Sequence, residues 1–277
     1  MGRSAVAVLR NKFSSLDDID LTLIGSESSQ LDIDGVKYAV LDGYTARKKI
    51  EKIDILFNAA FLRKEFLKRL THYEYVTKNN QISTFALSLL EDFQPSVFIN
   101  LSSGAAAQKT MDVKVDPYGF LKLEWERRFL EACSLISIKL INCRIYSLTG
   151  RFINEFQNLA LSQFILSALH DKKIDVRSAN TLRTYVDSET LCHLLFCMAF
   201  QGEKLSFDSG GVLTSMESLA NSIKSLLNVQ EIDLKLSNDY SENYFGDHAD
   251  FQKLLDEFNI NLESLDEQVS RTLTAFI

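Results

Sequence analysis

Tyr118 and Lys122 stand four residues apart in the stretch Asp116-Pro117-Tyr118-Gly119-Phe120-Leu121-Lys122. Pro117 suits the first position of a helix, and a spacing of four puts both side chains on one helix face. A phenol beside an ammonium is a proton-transfer device, because the cation favours the phenolate and lowers a pKa of about 10. Such a tyrosine can act as general base or acid at a carbinol or ketone. The same spacing arises by chance on many helices, so the chemistry turns on what the fold brings beside it.

The elements that must position this pair follow a regular pattern. Apolar runs at 20–26, 36–42, 53–60, 96–104 and 136–144 read as strands. Helical patterns at 2–13, 47–52, 73–92 and from Pro117 onward separate most of them. Alternation of this kind predicts an α/β fold, a Rossmann-like doubly wound parallel sheet. Ligands of such sheets bind at the carboxyl ends of the strands, where Asn58-Ala59-Ala60 and Ser102-Ser103-Gly104 fall. Beyond Gly150 the pattern loosens. Helices are expected over 156–170, 188–200 and 215–227, strands over 173–177, 204–208 and 231–236, and two closing helices from near Asp247 and Leu262. The expected division is a dinucleotide-binding core over 1–150 and a smaller α/β substrate lobe over 151–277, some segments of which return to the core.

Composition narrows the class. The 277 residues are 46% hydrophobic and 24% charged, ordinary for a soluble globular protein. A net charge of −7 without a basic stripe argues against a nucleic-acid partner. No apolar run reaches the length of a membrane span, and no positive-then-apolar leader opens the sequence, so a cytoplasmic protein is expected. Cys133, Cys143, Cys192 and Cys197 sit in apolar patterns and read as buried reduced thiols. The 4 histidines are scattered without ligand spacing, and no metal site is expected.

The ordered set of small residues after one strand, Ser-Ser after the next, Tyr-x-x-x-Lys opening a helix, and Arg144 leading to Gly150 resembles the extended short-chain dehydrogenase/reductase superfamily, in particular the NAD-dependent epimerase/dehydratase family that acts on nucleotide sugars. The matching pieces are Phe57-Asn58-Ala59-Ala60, Asn80 with Ser83-Thr84, Phe98 to Ser103, Tyr118 to Glu126, Arg144 to Gly150, Arg183-Thr184-Tyr185 and Phe207-Asp208-Ser209-Gly210-Gly211. The resemblance implies that Tyr118 exchanges a proton with a sugar hydroxyl and that Ser103 hydrogen-bonds the same oxygen. Lys122 would hold the nicotinamide ribose and lower the pKa of Tyr118. Gly2, Asn58, Ala59, Ala60, Asn80 and Tyr146 would line the NAD or NADP cofactor, with Asp42 near the adenine. Ser147 and Arg183 would meet the substrate, Arg183 at the diphosphate, where a planar donor fork suits phosphate oxygens. Plainer readings stand beside these: close packing for Ala59-Ala60, a polar helix start for Asn80, a turn residue for Asp42, and a solvated surface arginine for Arg183. The helices near Phe85 and Trp125 offer a homodimer interface by the same resemblance.

Departures from the family pattern shape the functional expectation. The family opens with a strand and a glycine-rich turn that cradles the pyrophosphate at a helix N-terminus. Here Gly2-Arg3-Ser4-Ala5 matches only the tail of that motif. Three explanations compete: a start placed too far downstream, a shortened chain, or a protein that no longer binds the dinucleotide. If the chain is complete as written, weakened cofactor affinity is expected. Gly25-Ser26 stands where NAD-preferring members often carry an acidic residue, which leans toward NADP or relaxed preference. Gly104-Ala105-Ala106 supplies no carboxylate pair after Ser103, which favours an epimerase or keto-reductase over a dehydratase. The rival expectation is a catalytically impaired binding or regulatory protein on the same fold.

Overall fold

The computed structural model describes residues 1–13, 19–107, 112–153, 159–227, 233–237 and 242–276. Strands β4 (Ile55–Asn58), β5 (Val97–Ser103), β6 (Lys139–Ile145) and β10 (Leu205–Asp208) form an all-parallel sheet in the order β10-β6-β5-β4. Strands covered on both faces read as continuous apolar runs, and every residue of β5 is buried. On one face Val97, Ile99, Leu101, Ile141 and Cys143 pack against α1 (Gly2–Lys12), α6 (Ser188–Gln201) and α8 (His248–Glu257). On the other, Phe98 and Leu140 meet Ala86 and Leu90 of α3 (His72–Phe93) and Trp125 and Phe129 of α4 (Pro117–Leu135). Full burial of a side chain such as Phe98 is worth about 1.5–3 kcal/mol. The result is the doubly wound α/β arrangement expected of the sequence.

A second sheet joins β1 (Leu23–Gly25), β2 (Ser29–Ile33) and β3 (Val36–Asp42) in the order β1-β3-β2, with α2 (Gly43–Lys49) following β3. β1 is parallel to β3, whereas β2 and β3 form an antiparallel hairpin. Its turn, Asp34-Gly35, has φ of 54° and 77°, the left-handed geometry for which Asp-Gly is suited. β2 is absent from the pattern expected above, although the Asp-Gly pair between two short apolar segments was its signal. Among the described residues no ladder joins β1 to β4. α1 packs between the two sheets: Ala5 and Val8 pack on the central sheet, and Val6 and Ala7 pack with Ile33 of the second sheet.

The remaining strands are β7 (Leu148–Thr149), β9 (Leu182–Asp187) and β11 (Val212–Ser215), in the order β11-β9-β7, and the parallel pair β8 (Lys173–Val176) and β12 (Asp233–Leu236). β9 and β11 were not expected as strands. With α5 (Ala160–Asp171), α7 (Met216–Leu226) and α9 (Leu265–Leu273) these elements enclose a second core built on Ile165, Ile174, Tyr185, Leu219, Ile223 and Val269. Residues 156–158 of one expected helix and 231–232 of one expected strand lie outside the described residues. Among the described residues no helix is long and apolar enough to cross a membrane.

Candidate active site

Ser103 ends β5, and a 3-10 turn over Gly104–Ala107 carries the chain off the sheet. α4 opens against this turn. A Cβ on Gly119 would lie 2.7 Å from the Ala105 carbonyl oxygen, so only glycine permits the approach. The approach brings the Tyr118 side chain beside that of Ser103. One helical turn on, Lys122 Nζ donates to the Leu101 carbonyl at 2.8 Å and lies 4.1 Å from the centroid of the Phe61 ring. Phe61 meets Tyr118 edge-on, with ring centroids 5.8 Å apart.

The electrostatics of the pair differ from the sequence expectation. Burial pushes the Tyr118 phenol up to about 12; the Ser103 hydrogen bond pulls the other way, and Tyr244, Glu65 and Asp116 add to the rise. Burial also draws the Lys122 ammonium down to about 7, against the opposing pull of Glu126. Lys122 was expected to lower the phenol. Instead its ammonium is itself desolvated and is committed to the Leu101 carbonyl, so the phenol is held protonated at neutral pH.

The other expected site residues divide into two groups. Tyr146 donates its hydroxyl to Asp208 Oδ2 at 3.0 Å, and its ring centroid lies 4.8 Å from that of Tyr244. The Arg183 guanidinium is 5.6 Å from the centroid of the Tyr244 ring, and its buried Nε has no hydrogen-bond partner. Burial raises the Tyr244 phenol, and the neighbouring Ser103 side chain, the Arg183 charge and the Ala105 backbone oppose the rise. Ser103, Tyr118, Lys122, Tyr146 and Arg183 therefore belong to one connected group. Ser147 lies on the adjoining loop, where its carbonyl accepts from the Val186 N–H at 3.2 Å.

Asp42 and Asn80 are engaged elsewhere. Asp42 caps α2, accepting from Thr45 N–H at 2.9 Å and from the hydroxyls of Thr45 and Ser28 at 2.7 Å each. These bonds, that of Ser28 foremost, hold its carboxyl below the usual range. Asn80 Oδ1 accepts from the Trp125 indole at 2.9 Å and so joins α3 to α4. Its neighbour Asn79, which sequence reasoning passed over, accepts from the Leu62 N–H at 2.7 Å and pins the loop that carries Phe61. Asn58 Nδ2 donates to Asn100 Oδ1 at 3.1 Å, and Asn100 Nδ2 to Asn142 Oδ1 at 2.7 Å, a buried ladder across three strands. Ala59 and Ala60 are exposed at the end of β4.

The resemblance implies a nicotinamide dinucleotide, and the residues present fit one. Met1 caps α1 without a side-chain hydrogen bond, which leaves first-turn N–H groups for an anion. Gly2 has nothing within 4 Å of where a Cβ would stand. The charges of Arg3 and Arg63 are near the Met1 ammonium, and the buried Arg63 Nη1 has no hydrogen-bond partner. A separate cavity of about 300 Å³ lies between α4, β6 and β10, beside the Arg144–Glu126 ion pair, and includes none of Ser103, Tyr118 or Lys122.

No family model matches the sequence, and no curated protein matches it. Solved structures do share its fold. A UDP-N-acetylglucosamine 4-epimerase from Methanobrevibacter ruminantium, in complex with UDP-N-acetylmuramic acid, is 16% identical with a TM-score of 0.76, over 99% of this chain and 94% of that one. A UDP-glucose 4-epimerase from Thermotoga maritima with UDP-glucose is 15% identical with a TM-score of 0.74, over 99% and 94%. A dTDP-glucose 4,6-dehydratase from Bacillus anthracis in complex with NAD is 12% identical with a TM-score of 0.71, over 99% and 93%. The chain has the Rossmann-type fold of these nucleotide-sugar enzymes.

Proposed function

We propose that the chain is an NAD(P)-dependent epimerase or keto-reductase acting on a nucleotide-activated sugar. The observation that carries this reading is the meeting of the Tyr118 and Ser103 side chains at the carboxyl end of β5, one helical turn from Lys122. The fold shared with UDP-sugar 4-epimerases supports the substrate class. The hydroxyl of Tyr118 holds the proton to be exchanged with the sugar oxygen, and Ser103 orients that oxygen toward it. A phenol kept protonated at neutral pH suits delivery of a proton to an alkoxide as it forms. Lys122 stands one turn away, close to neutrality and able to take or give charge as the site fills. Arg183 receives the diphosphate in this reading, and its unpartnered buried Nε supports that role. When bound, the nicotinamide supplies the acceptor and donor of hydride. Gly104-Ala105-Ala106 adds no carboxylate to this group, and without an added acid/base pair elimination of water is disfavoured relative to epimerisation or reduction.

Turnover of UDP-sugars and dTDP-sugars in the presence of NAD(H) or NADP(H) is the test. Tyr118→Phe, which leaves the ring in place, should lower kcat by about 10²-fold or more; full activity in that variant sinks the assignment. A second reading is a binding or regulatory protein on the same fold. Among the described residues no ladder joins β1 to β4, which favours it. Calorimetric titration separates the two: micromolar affinity for either dinucleotide refutes the non-binding version, and sugar-nucleotide binding without turnover supports it.

A further inference from the structure

Tyr146 follows β6 and packs against the turn that carries Ser103. Its hydroxyl donates to Asp208 Oδ2 at 3.0 Å, and its N–H donates to Ser209 Oγ at 3.1 Å. The Ser209 N–H donates to the Arg144 carbonyl at 2.8 Å. The end of β10 therefore holds Tyr146 both at its backbone and at the tip of its ring. Between those anchors the ring is wedged. A Cβ on Gly104 would stand 2.5 Å from Tyr146 Cε1, and one on Gly246 would stand 2.9 Å from Cδ2. The two glycines meet opposite edges of one ring. Gly104 is the residue after Ser103 and opens the 3-10 turn. Gly119, the residue after Tyr118, closes the same turn from the α4 side, where it admits the Ala105 carbonyl. The turn is thus held between the Tyr146 ring and the first turn of α4.

We propose that Tyr146, anchored by Asp208, is a positioning residue: its ring backs the Gly104 turn and sets where Ser103 stands against Tyr118. The proposal rests on the nucleotide-sugar reading of the site. In this role neither Tyr146 nor Asp208 touches the reacting atoms, and the Tyr146 hydroxyl is spent within the chain. A carboxylate acceptor makes the stronger class of hydrogen bond, so the anchor is firm. A displacement of about 1 Å at a reacting group can cost on the order of 10²-fold in rate. Release of the ring is therefore read in kcat.

The test is turnover of UDP-glucose, UDP-N-acetylglucosamine and dTDP-glucose with NAD(H) or NADP(H), with thermal unfolding alongside. The proteins are wild type, Tyr146→Phe, Asp208→Ala, Asp208→Asn and the double variant of Tyr146→Phe with Asp208→Ala. The expected result is kcat and kcat/KM lowered together roughly tenfold in Tyr146→Phe, the order of one hydrogen bond to a charged acceptor, with KM changed by less than about twofold. Asp208→Ala should match that loss, and the double variant should be no worse than either. Asp208→Asn, which keeps an acceptor for the hydroxyl, should recover part of it. Asp208→Ala leaves the tyrosine in place, so it decides the matter where Tyr146→Phe fails to fold. Wild-type kcat in Tyr146→Phe, losses that add in the double variant, or lowered thermal stability with kcat per folded molecule unchanged overturns the proposal while leaving the nucleotide-sugar reading standing. Absence of turnover by wild type and variants alike overturns the nucleotide-sugar reading and the proposal with it.

Discussion

The Lys122 ammonium lies 4.1 Å from the centroid of the Phe61 ring, a cation–π contact made by a half-buried side chain. Burial draws its pKa from 10.5 down to about 7. Between those values the unfolded chain binds more protons at this group than the folded one, so its contribution to stability rises with pH through that window. Lys122→Met removes the dependence. The stability of wild type relative to Lys122→Met should therefore climb from pH 7 to pH 10, by up to about 1.4 kcal/mol per pH unit at its steepest. Urea titrations of both proteins at several pH values measure it. A flat difference refutes the near-neutral lysine.

Arg144 clasps Glu126 with three contacts of 2.7–3.1 Å, and Glu126 is only 7% exposed. Removing the guanidinium strands a buried carboxylate. Arg144→Met should cost about 2–4 kcal/mol, and the double change with Glu126→Leu should recover most of it. A double-mutant cycle by chemical unfolding reads the coupling; additive losses would show that the pair acts independently.

Gly211 has φ of +114°, and a Cβ there would stand 2.1 Å from the Tyr185 carbonyl oxygen. Gly35 also has positive φ, +77°, but has open space around it. Gly35→Ala should cost about 1 kcal/mol, the strain of a left-handed residue alone. Gly211→Ala should cost at least about 3 kcal/mol, because backbone strain is joined by a clash that no rotamer relieves. Thermal unfolding of both variants checks the order, and equal losses would contradict it.

The central sheet was legible because its strands are apolar on both faces, and that pattern has little competition from helix. Ser103 and Tyr118 were legible as a pair because small polar residues at a strand end and a Pro-Tyr helix start are local signals whose meeting follows from the fold. The charge state of the pair was not. It depends on how deeply the α4 N-terminus is buried, and helical spacing carries no measure of burial. Tyr244 left no trace because it sits 126 positions beyond Tyr118 in a segment without periodicity; only the bonds from the Tyr244 N–H to Leu182 and from the Gly246 N–H to Thr184 bring it back. Asp42 and Asn80 had two readings each, and the structure engages Asp42 in a cap and Asn80 in a contact between helices.

The asparagine ladder has a consequence for how this sheet is assembled. Parallel apolar strands can slide past one another by two residues and still present the same face to the core. Such a slip would move Asn100 from opposite Asn142 to opposite Leu140 or Arg144. Each amide left facing a side chain that cannot answer it costs about 1–3 kcal/mol. Asn58, Asn100 and Asn142 therefore work as index marks, recognising one alignment among several that greasy faces alone would accept. The same alignment sets Ser103 opposite Ile145 at the sheet's carboxyl edge, so the mark that fixes the strands also fixes the height at which Ser103 meets Tyr118.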